Sequence, residues 1–326
     1  MRKFNIVLTT LLLYAQAPIF ADCAPFSLMQ ELAPTVFDSS FQKKLQEREY
    51  STAKEDLLQK IESAKETEKA SLKVVLATLY MRDQKEEEAF EIYLEALSAI
   101  PRKSLQEGEV SKDLKMSQDE YTLYNKSLVQ YLEQSKGPPL EVVKELEKTL
   151  TPVIKTHPEY VQVRFLLAAT QANQRQYEEF FYHFFCAFRQ NQECFLAYKT
   201  LGILNIKLFE RARDEESKSA RRAEVQKFLQ LAIKENAHDV ALYKLLVVFA
   251  TPESKKEVVT QVLELIVQND VQIPRSDIPF YVNEACLVDK KEVAKSFLNK
   301  QATYYQYSRI IEDMRKVITD DKDGNS

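Results

Sequence analysis

Two consecutive stripes of apolar residues with helical spacing lie between residues 70 and 101, and they constrain the fold more than any other feature. The first predicts a helix over KASLKVVLATLYMRDQ, and the second predicts a helix over KEEEAFEIYLEALSAI that ends at Pro101. Small residues on facing sides allow two antiparallel helices to approach closely, while large residues fill the space between them. The members of the stripes are Leu76, Ala77 and Tyr80, then Ala89, Tyr93 and Ala96.

This segment resembles a tetratricopeptide repeat (TPR), a helix–turn–helix unit of about 34 residues. All but one of the consensus places carry a suitable residue, and at the exception Lys73 stands where the family usually has Trp. One such unit cannot bury its own apolar face, so it predicts neighbours of the same kind. The resemblance implies an all-α fold, a superhelical array of antiparallel helix pairs of the TPR-like α-solenoid type.

The composition agrees with an all-α chain. Only four glycines occur in 326 residues, which argues against hairpin-rich sheets and against Gly-rich phosphate-binding loops. Hydrophobic residues make up 45% and charged residues 29%, as in a globular protein. The mixed charges sum to a net charge of −4, so the composition favours neither a nucleic-acid binder nor a peripheral membrane protein.

The first residues are typical of an export signal. Arg2 and Lys3 precede an apolar run over residues 4–20, and small residues follow it. We expect a signal peptide over residues 1–21, cleaved after Ala21, because the run is shorter than the roughly 20 residues that span a bilayer. No other segment approaches a membrane span. The expected location is the periplasm of a bacterial envelope, with membrane association if Cys23 is lipidated, although Asp22 does not fit that motif.

The predicted organisation continues with an extended segment over 22–37, TPR-like repeats over 38–318 and a disordered acidic tail over 319–326. Apolar periodicity indicates further helix pairs, with Leu140 to Thr156, Val161 to Arg175 and Tyr177 to Gln190 among their helices. The charged stretch from Glu210 to Arg222 is either an insertion or a lengthened helix, and Lys290 to Lys316 is expected as the last helix. A single compact helical domain is the main alternative architecture.

A search for chemistry singles out one helix, YEEFFYHFFCAF, in which Glu179, His183 and Cys186 share a face. These residues are the centre of an alternative function, a helical metal-binding protein or an enzyme. Its aromatic density favours a buried core helix instead. No catalytic, phosphate-binding or paired zinc motif occurs, so we predict no enzyme, cofactor or metal. Cysteine in an exported protein also invites a disulfide, for which Cys186 and Cys194 are the candidates.

The TPR resemblance implies a concave groove lined by the first helix of each pair. Its ligand-facing positions predict a mixed apolar and basic surface, which suits an extended segment or a helix of another envelope protein. The sequence therefore predicts an exported, non-enzymatic scaffold, and a lipid-anchored assembly factor tethered at Cys23 is a further alternative. The predicted groove residues are Val74, Thr78, Arg82, Gln162, Phe165, Asn173, Lys199, Ile203, Lys207 and Lys244.

Overall fold

The computed structural model describes residues 27–100, 140–158 and 160–320. These residues form fifteen helices and no strand, which confirms the predicted all-α class for this part of the chain. The predicted signal peptide, Cys23 and the end of the predicted tail after Asp320 lie outside the described residues. The chain divides into two compact units, residues 1–192 and residues 193–326, where the sequence predicted one array.

The N-terminal unit contains eight described helices, and most of those that are consecutive along the chain pack against each other in TPR-like pairs. They are α1 (Ser27–Leu32), α2 (Ser39–Gln46), α3 (Tyr50–Ser63), α4 (Glu66–Arg82), α5 (Glu86–Ser98), α6 (Leu140–Thr156), α7 (Val161–Asn173) and α8 (Tyr177–Gln190).

The C-terminal unit contains seven described helices, with α9 packed on α10 and α11 packed on α12. They are α9 (Phe195–Arg211), α10 (Glu215–Glu235), α11 (Val240–Val248), α12 (Lys255–Gln268), α13 (Ile278–Leu287), α14 (Lys291–Tyr304) and α15 (Arg309–Asp320). No helix in the described ranges combines the length and apolar character that crossing a membrane requires.

Four of the described helix pairs share one turn geometry. In each, a residue in the left-handed region lies two positions after the first helix and two before the second: Arg48, Gln84, Arg175 and Asp289. The next N–H then donates to the carbonyl five residues earlier, as when Lys85 donates to Tyr80 at 2.9 Å. This is the Schellman hydrogen bond that closes a helix end, here made without glycine. The turn sets the tight antiparallel pairing in both units.

The segment expected to be extended, 22–37, contains helix α1 instead. Its Met29 is 1% exposed, and the Thr78 hydroxyl of α4 lies 3.4 Å from the Met29 sulfur. Val36 and Phe37, in the segment after α1, are buried as well. Burial against α4 and α8 stabilises a helix too short to form alone.

The aromatic helix α8 lies in the core of the N-terminal unit, as its sequence predicted. Phe181 stacks on Tyr93 of α5 with ring centroids 4.2 Å apart, and Phe184 contacts Phe165 of α7 at 5.2 Å. The Tyr93 hydroxyl donates to the Phe181 carbonyl at 3.0 Å, so the one polar atom of this buried ring is satisfied. Helix α8 also packs against α1 and α4, which places it between the other elements.

The charged stretch 210–222 belongs to a lengthened helix, which is one of the two predicted alternatives. Helix α10 begins at Glu215, where the Asp214 carboxylate accepts from the Ser217 N–H at 2.7 Å. Gly202 of α9 permits the close packing of α9 on α10, since an added Cβ would lie 3.1 Å from Leu229.

The prediction of a single last helix over 290–316 is wrong. Helices α14 and α15 are separated at Tyr307, which has a φ of 62°.

Candidate functional site

Two lysines of the C-terminal unit make the same ion pair one repeat apart. Lys199 is the fifth residue of α9, and its ammonium group donates to the carboxylate of Asp239, the N-cap of α11. Lys244 is the fifth residue of α11, and its ammonium group donates to Asp277, the N-cap of α13, at 2.7 Å. Each pair joins a first helix to the start of the next first helix. We call these four residues the Lys–Asp ladder.

The ladder neutralises two cations that the sequence assigned to partner binding. The side chain of Asp239 is 7% exposed, and it also accepts the Ala241 N–H at 3.2 Å, which caps α11. The Lys199 and Lys244 side chains are 20% and 22% exposed. A carboxylate of the same chain therefore already pairs with each of these two lysines, and neither lysine presents an unpaired charge to a partner.

Apolar side chains lie one helical turn beyond the ladder lysines. Ile203 of α9 is 37% exposed, which is unusual for so large an aliphatic side chain in a helix with a buried face. The equivalent position, nine residues after the N-cap, is Val248 in α11 and Cys286 in α13, and both are partly exposed. We call Ile203, Val248 and Cys286 the apolar row. Lys207, one turn beyond Ile203, is half-buried.

The predicted groove positions of the N-terminal unit contribute mainly to packing. Val74 and Thr78 are 0% exposed and Phe165 is 1% exposed, so these three side chains form the interior instead of an open surface. Arg82 makes a two-pronged ion pair with Glu178 of α8, with one amino group 2.6 Å from the carboxylate. Gln162 and Asn173 lie in α7, but their side chains are outside the described part of the structure.

Glu179, His183 and Cys186 all lie on α8, where His183 is buried and the other two are half-buried. Burial, and then the positive charge of Arg164, lower the pKa of His183 to about 3. The pKa of Glu179 is raised by burial and then by the neighbouring carboxylates of Glu178 and Glu147. Across the described ranges, no group of three His, Cys, Asp or Glu side chains is arranged to hold a metal ion.

The cysteine thiols differ from the sequence prediction. Cys186 and Cys194, predicted as a disulfide, are free thiols in the structure, as is Cys286. Burial raises the pKa of Cys186, and it raises the pKa of Cys194 to about 11. Because the thiolate is the species that exchanges or oxidises, these values disfavour both disulfide formation and nucleophilic chemistry.

Sequence reasoning missed three charged residues with defined structural roles. Asp239 and Asp277 each precede a short apolar run, which is the usual signal of a helix N-cap and marked their position. Their pairing with a lysine 40 and 33 residues away had no local signal. Arg164 was unremarkable in the sequence because nothing around it indicates that it is only 6% exposed.

Comparisons with known proteins identify a distant structural likeness. No protein-family model matches the chain, and no curated protein matches its sequence. A tetratricopeptide repeat protein from Parabacteroides merdae, solved by crystallography, matches over 90% of this chain and 99% of its own. The two are 15% identical, with a TM-score of 0.34.

Proposed function

We propose that this protein is a non-enzymatic helical-repeat scaffold that binds another protein through the first helices of its C-terminal unit. The observation that carries the proposal is the exposure of Ile203, 37%, on a helix whose other large apolar residues are buried or half-buried. Stacked helix pairs present successive first helices side by side, and partners of repeat proteins bind across such extended surfaces. The side chains of the apolar row supply the apolar surface that is buried when a partner binds.

The Lys–Asp ladder supports a structural role for the basic residues of this face. Lys199 and Lys244 hold adjacent first helices in register, so apolar contact, and not a clamp on a carboxylate, supplies the binding energy. Fully burying an exposed aliphatic side chain contributes about 1.5–3 kcal/mol. Because Ile203 is 37% exposed, its further burial on binding supplies about a third of that, so the other members of the apolar row are needed as well.

The sequence of residues 1–21 supports a proposal for the location of the scaffold and of its partner. We propose that this segment directs export, that it is removed, and that the mature protein acts in the periplasm on another envelope protein. The intact mass of the protein isolated from its own cells tests this proposal. A mass that corresponds to a chain beginning at Asp22 is expected, and a chain that retains Met1 contradicts it. An additional lipid mass would instead show that Cys23 begins the mature chain and anchors it.

An affinity capture from envelope extract tests the binding surface with a matched pair of variants. Ile203→Asp places a charge in the apolar row, and Gln230→Asp places one on an exposed position of α10, the second helix of the same pair. We expect the wild-type chain and the Gln230→Asp variant to capture the same protein and Ile203→Asp to lose it. Equal capture by both variants, or no reproducible partner for the wild type, contradicts the proposal. Circular dichroism checks that both variants remain folded.

A further inference from the structure

Arg164 of α7 is a buried cation that no described carboxylate neutralises. The residue is 6% exposed, and one of its amino groups donates to the Pro158 carbonyl at 3.1 Å. Its Nε–H has no hydrogen-bond partner among the described residues. A guanidinium group removed from water and held by a neutral carbonyl retains most of its desolvation cost, which an anion would offset.

The groups around Arg164 leave this charge uncompensated. Its guanidinium carbon lies 5.9 Å from the ring centre of Tyr182 in α8. The carboxylate of Glu31 accepts from the Tyr182 hydroxyl, but it is exposed to solvent and forms no ion pair with Arg164 in the described part of the chain. The Cys186 thiol is a further neighbour of Arg164, and burial raises its pKa, so it contributes no negative charge at neutral pH.

His183 provides a second unpaired nitrogen beside the same cation. The residue is 9% exposed, and its Nδ1 atom has no hydrogen-bond partner in the part of the chain that the structure describes. Its ring packs edge-on against Tyr182, with centroids 5.0 Å apart. With a pKa lowered to about 3, the imidazole is neutral at neutral pH and adds no positive charge. The cluster therefore combines one buried positive charge with two unpaired nitrogen atoms.

We propose that Arg164 and His183 form a binding site for a single carboxylate group. The Nε–H of Arg164 donates to the carboxylate, and the Nδ1–H tautomer of neutral His183 supplies a second donor. One carboxylate carries one negative charge, which balances the one buried cation. A phosphate dianion would leave excess negative charge in a buried place, so carboxylate is the fitting class. The site lies in the N-terminal unit and is independent of the proposed interaction surface in the C-terminal unit.

Two kinds of ligand carry such a carboxylate group: a small organic acid and the C-terminus of a peptide. The test measures the thermal unfolding midpoint of the full chain with acetate, with N-acetyl-dialanine and with its C-terminal amide, each against sodium chloride at equal ionic strength. Above the dissociation constant, each tenfold increase in ligand should raise the midpoint by about 3–5 °C. A response to acetate alone identifies a free acid as the source, and a response to the peptide acid but not its amide identifies a peptide end.

Matched variants separate a site from a general salt effect. Arg164→Gln should lose the response, whereas Arg189→Gln, which removes an exposed arginine of α8, should keep it. No midpoint rise over sodium chloride in the wild type, or an equal rise in Arg164→Gln, overturns the proposal. A second measurement uses the unmodified chain, so that the test does not depend on the folding of a variant.

In NMR spectra recorded at neutral pH, the imidazole proton signal of His183 should move with acetate in a saturable manner, while the signals of His157 and His238 stay fixed. A His183 signal that does not move also overturns the proposal.

Discussion

The ammonium group of Lys244 donates to the carboxylate of Asp277 at 2.7 Å, which joins α11 to the N-cap of α13. Lys199 and Asp239 repeat this contact one helix pair earlier. In both cases the lysine is the fifth residue of a first helix and the aspartate precedes the next one. The repeat thus encodes a contact between neighbouring pairs in addition to the apolar packing within each pair.

The first prediction concerns the energy of the Lys244–Asp277 contact. The two side chains are 22% and 27% exposed, so solvent screens the pair and the coupling energy should be about 0.5–1 kcal/mol. A double-mutant cycle with Lys244→Met and Asp277→Asn, measured by urea unfolding, gives this value directly. The coupling should decrease in high salt. A coupling of zero at low salt would show that the contact contributes no stability.

The equivalent change at the buried end of the ladder should cost more. Asp239→Asn replaces a carboxylate with a neutral amide. The carboxylate is 7% exposed, accepts from Lys199 and caps α11 through the Ala241 N–H. We expect a loss of about 2–3 kcal/mol in the free energy of unfolding, because a buried lysine loses its counter-charge. A loss as small as that for Asp277→Asn would contradict the role assigned to burial.

The second prediction concerns the left-handed turn residue Gln84, which has a φ of 60°. Gln84→Gly removes the steric cost of this conformation, about 1–2 kcal/mol, but gives back part of it in unfolded-chain entropy. We expect a net stabilisation of about 0.5–1 kcal/mol in chemical denaturation. The matched control is Glu88→Gly, at an exposed position within α5, which should destabilise by about 1 kcal/mol. Destabilisation by both changes would contradict the turn argument.

The third prediction concerns pH. Because the pKa of His183 is about 3 in the folded chain and about 6.5 when unfolded, the unfolded state binds more protons between these values. Stability from the neutral imidazole is therefore complete above pH 6.5 and is lost as the pH falls toward 3. The loss is about 1.4 kcal/mol for each pH unit in that window.

Comparison with His183→Phe isolates this contribution from those of the carboxylates. The difference in unfolding free energy between the two proteins should change with pH between 6.5 and 3 and stay constant above that range. The measurement needs a buffer without carboxylate groups, because the proposed Arg164 site would bind acetate and citrate. Parallel pH profiles for the wild type and the variant would show that His183 does not titrate abnormally.

The fourth prediction concerns Gln301, a polar side chain of α14 that is 0% exposed. Its amide oxygen accepts from the Ile273 N–H and its amide nitrogen donates to the Val271 carbonyl, both at 2.9 Å. Gln301→Leu leaves two buried backbone groups unpaired and should cost about 2–5 kcal/mol. Thr303→Leu, at an exposed position of the same helix, should change stability by no more than about 0.5 kcal/mol. A small cost for Gln301→Leu would mean that the loop 271–273 repacks.

Local pattern predicted the helices well but predicted poorly which of their residues are accessible. The stripe containing Tyr93 and the aromatic run of α8 correctly indicated buried faces, because a continuous apolar stripe on a helix packs against the protein core and not against water. Val74 and Thr78 were assigned to an open groove by their place in the repeat, yet both are 0% exposed. Met29 of helix α1 contacts Thr78 and so covers a position that a regular array would leave open, which no local sequence pattern indicates.

The sequence by itself determined the all-α class, the paired helices and the core character of α8, because helix propensity and apolar periodicity act within a few residues along the chain. Only the tertiary structure decided that Lys199 and Lys244 meet carboxylates of the next repeat, that α14 ends before Tyr307, and that Arg164 is buried without a described counter-ion. Those outcomes depend on which helix faces pack together and on which side chains this packing removes from water. Both are set by contacts between residues far apart in sequence.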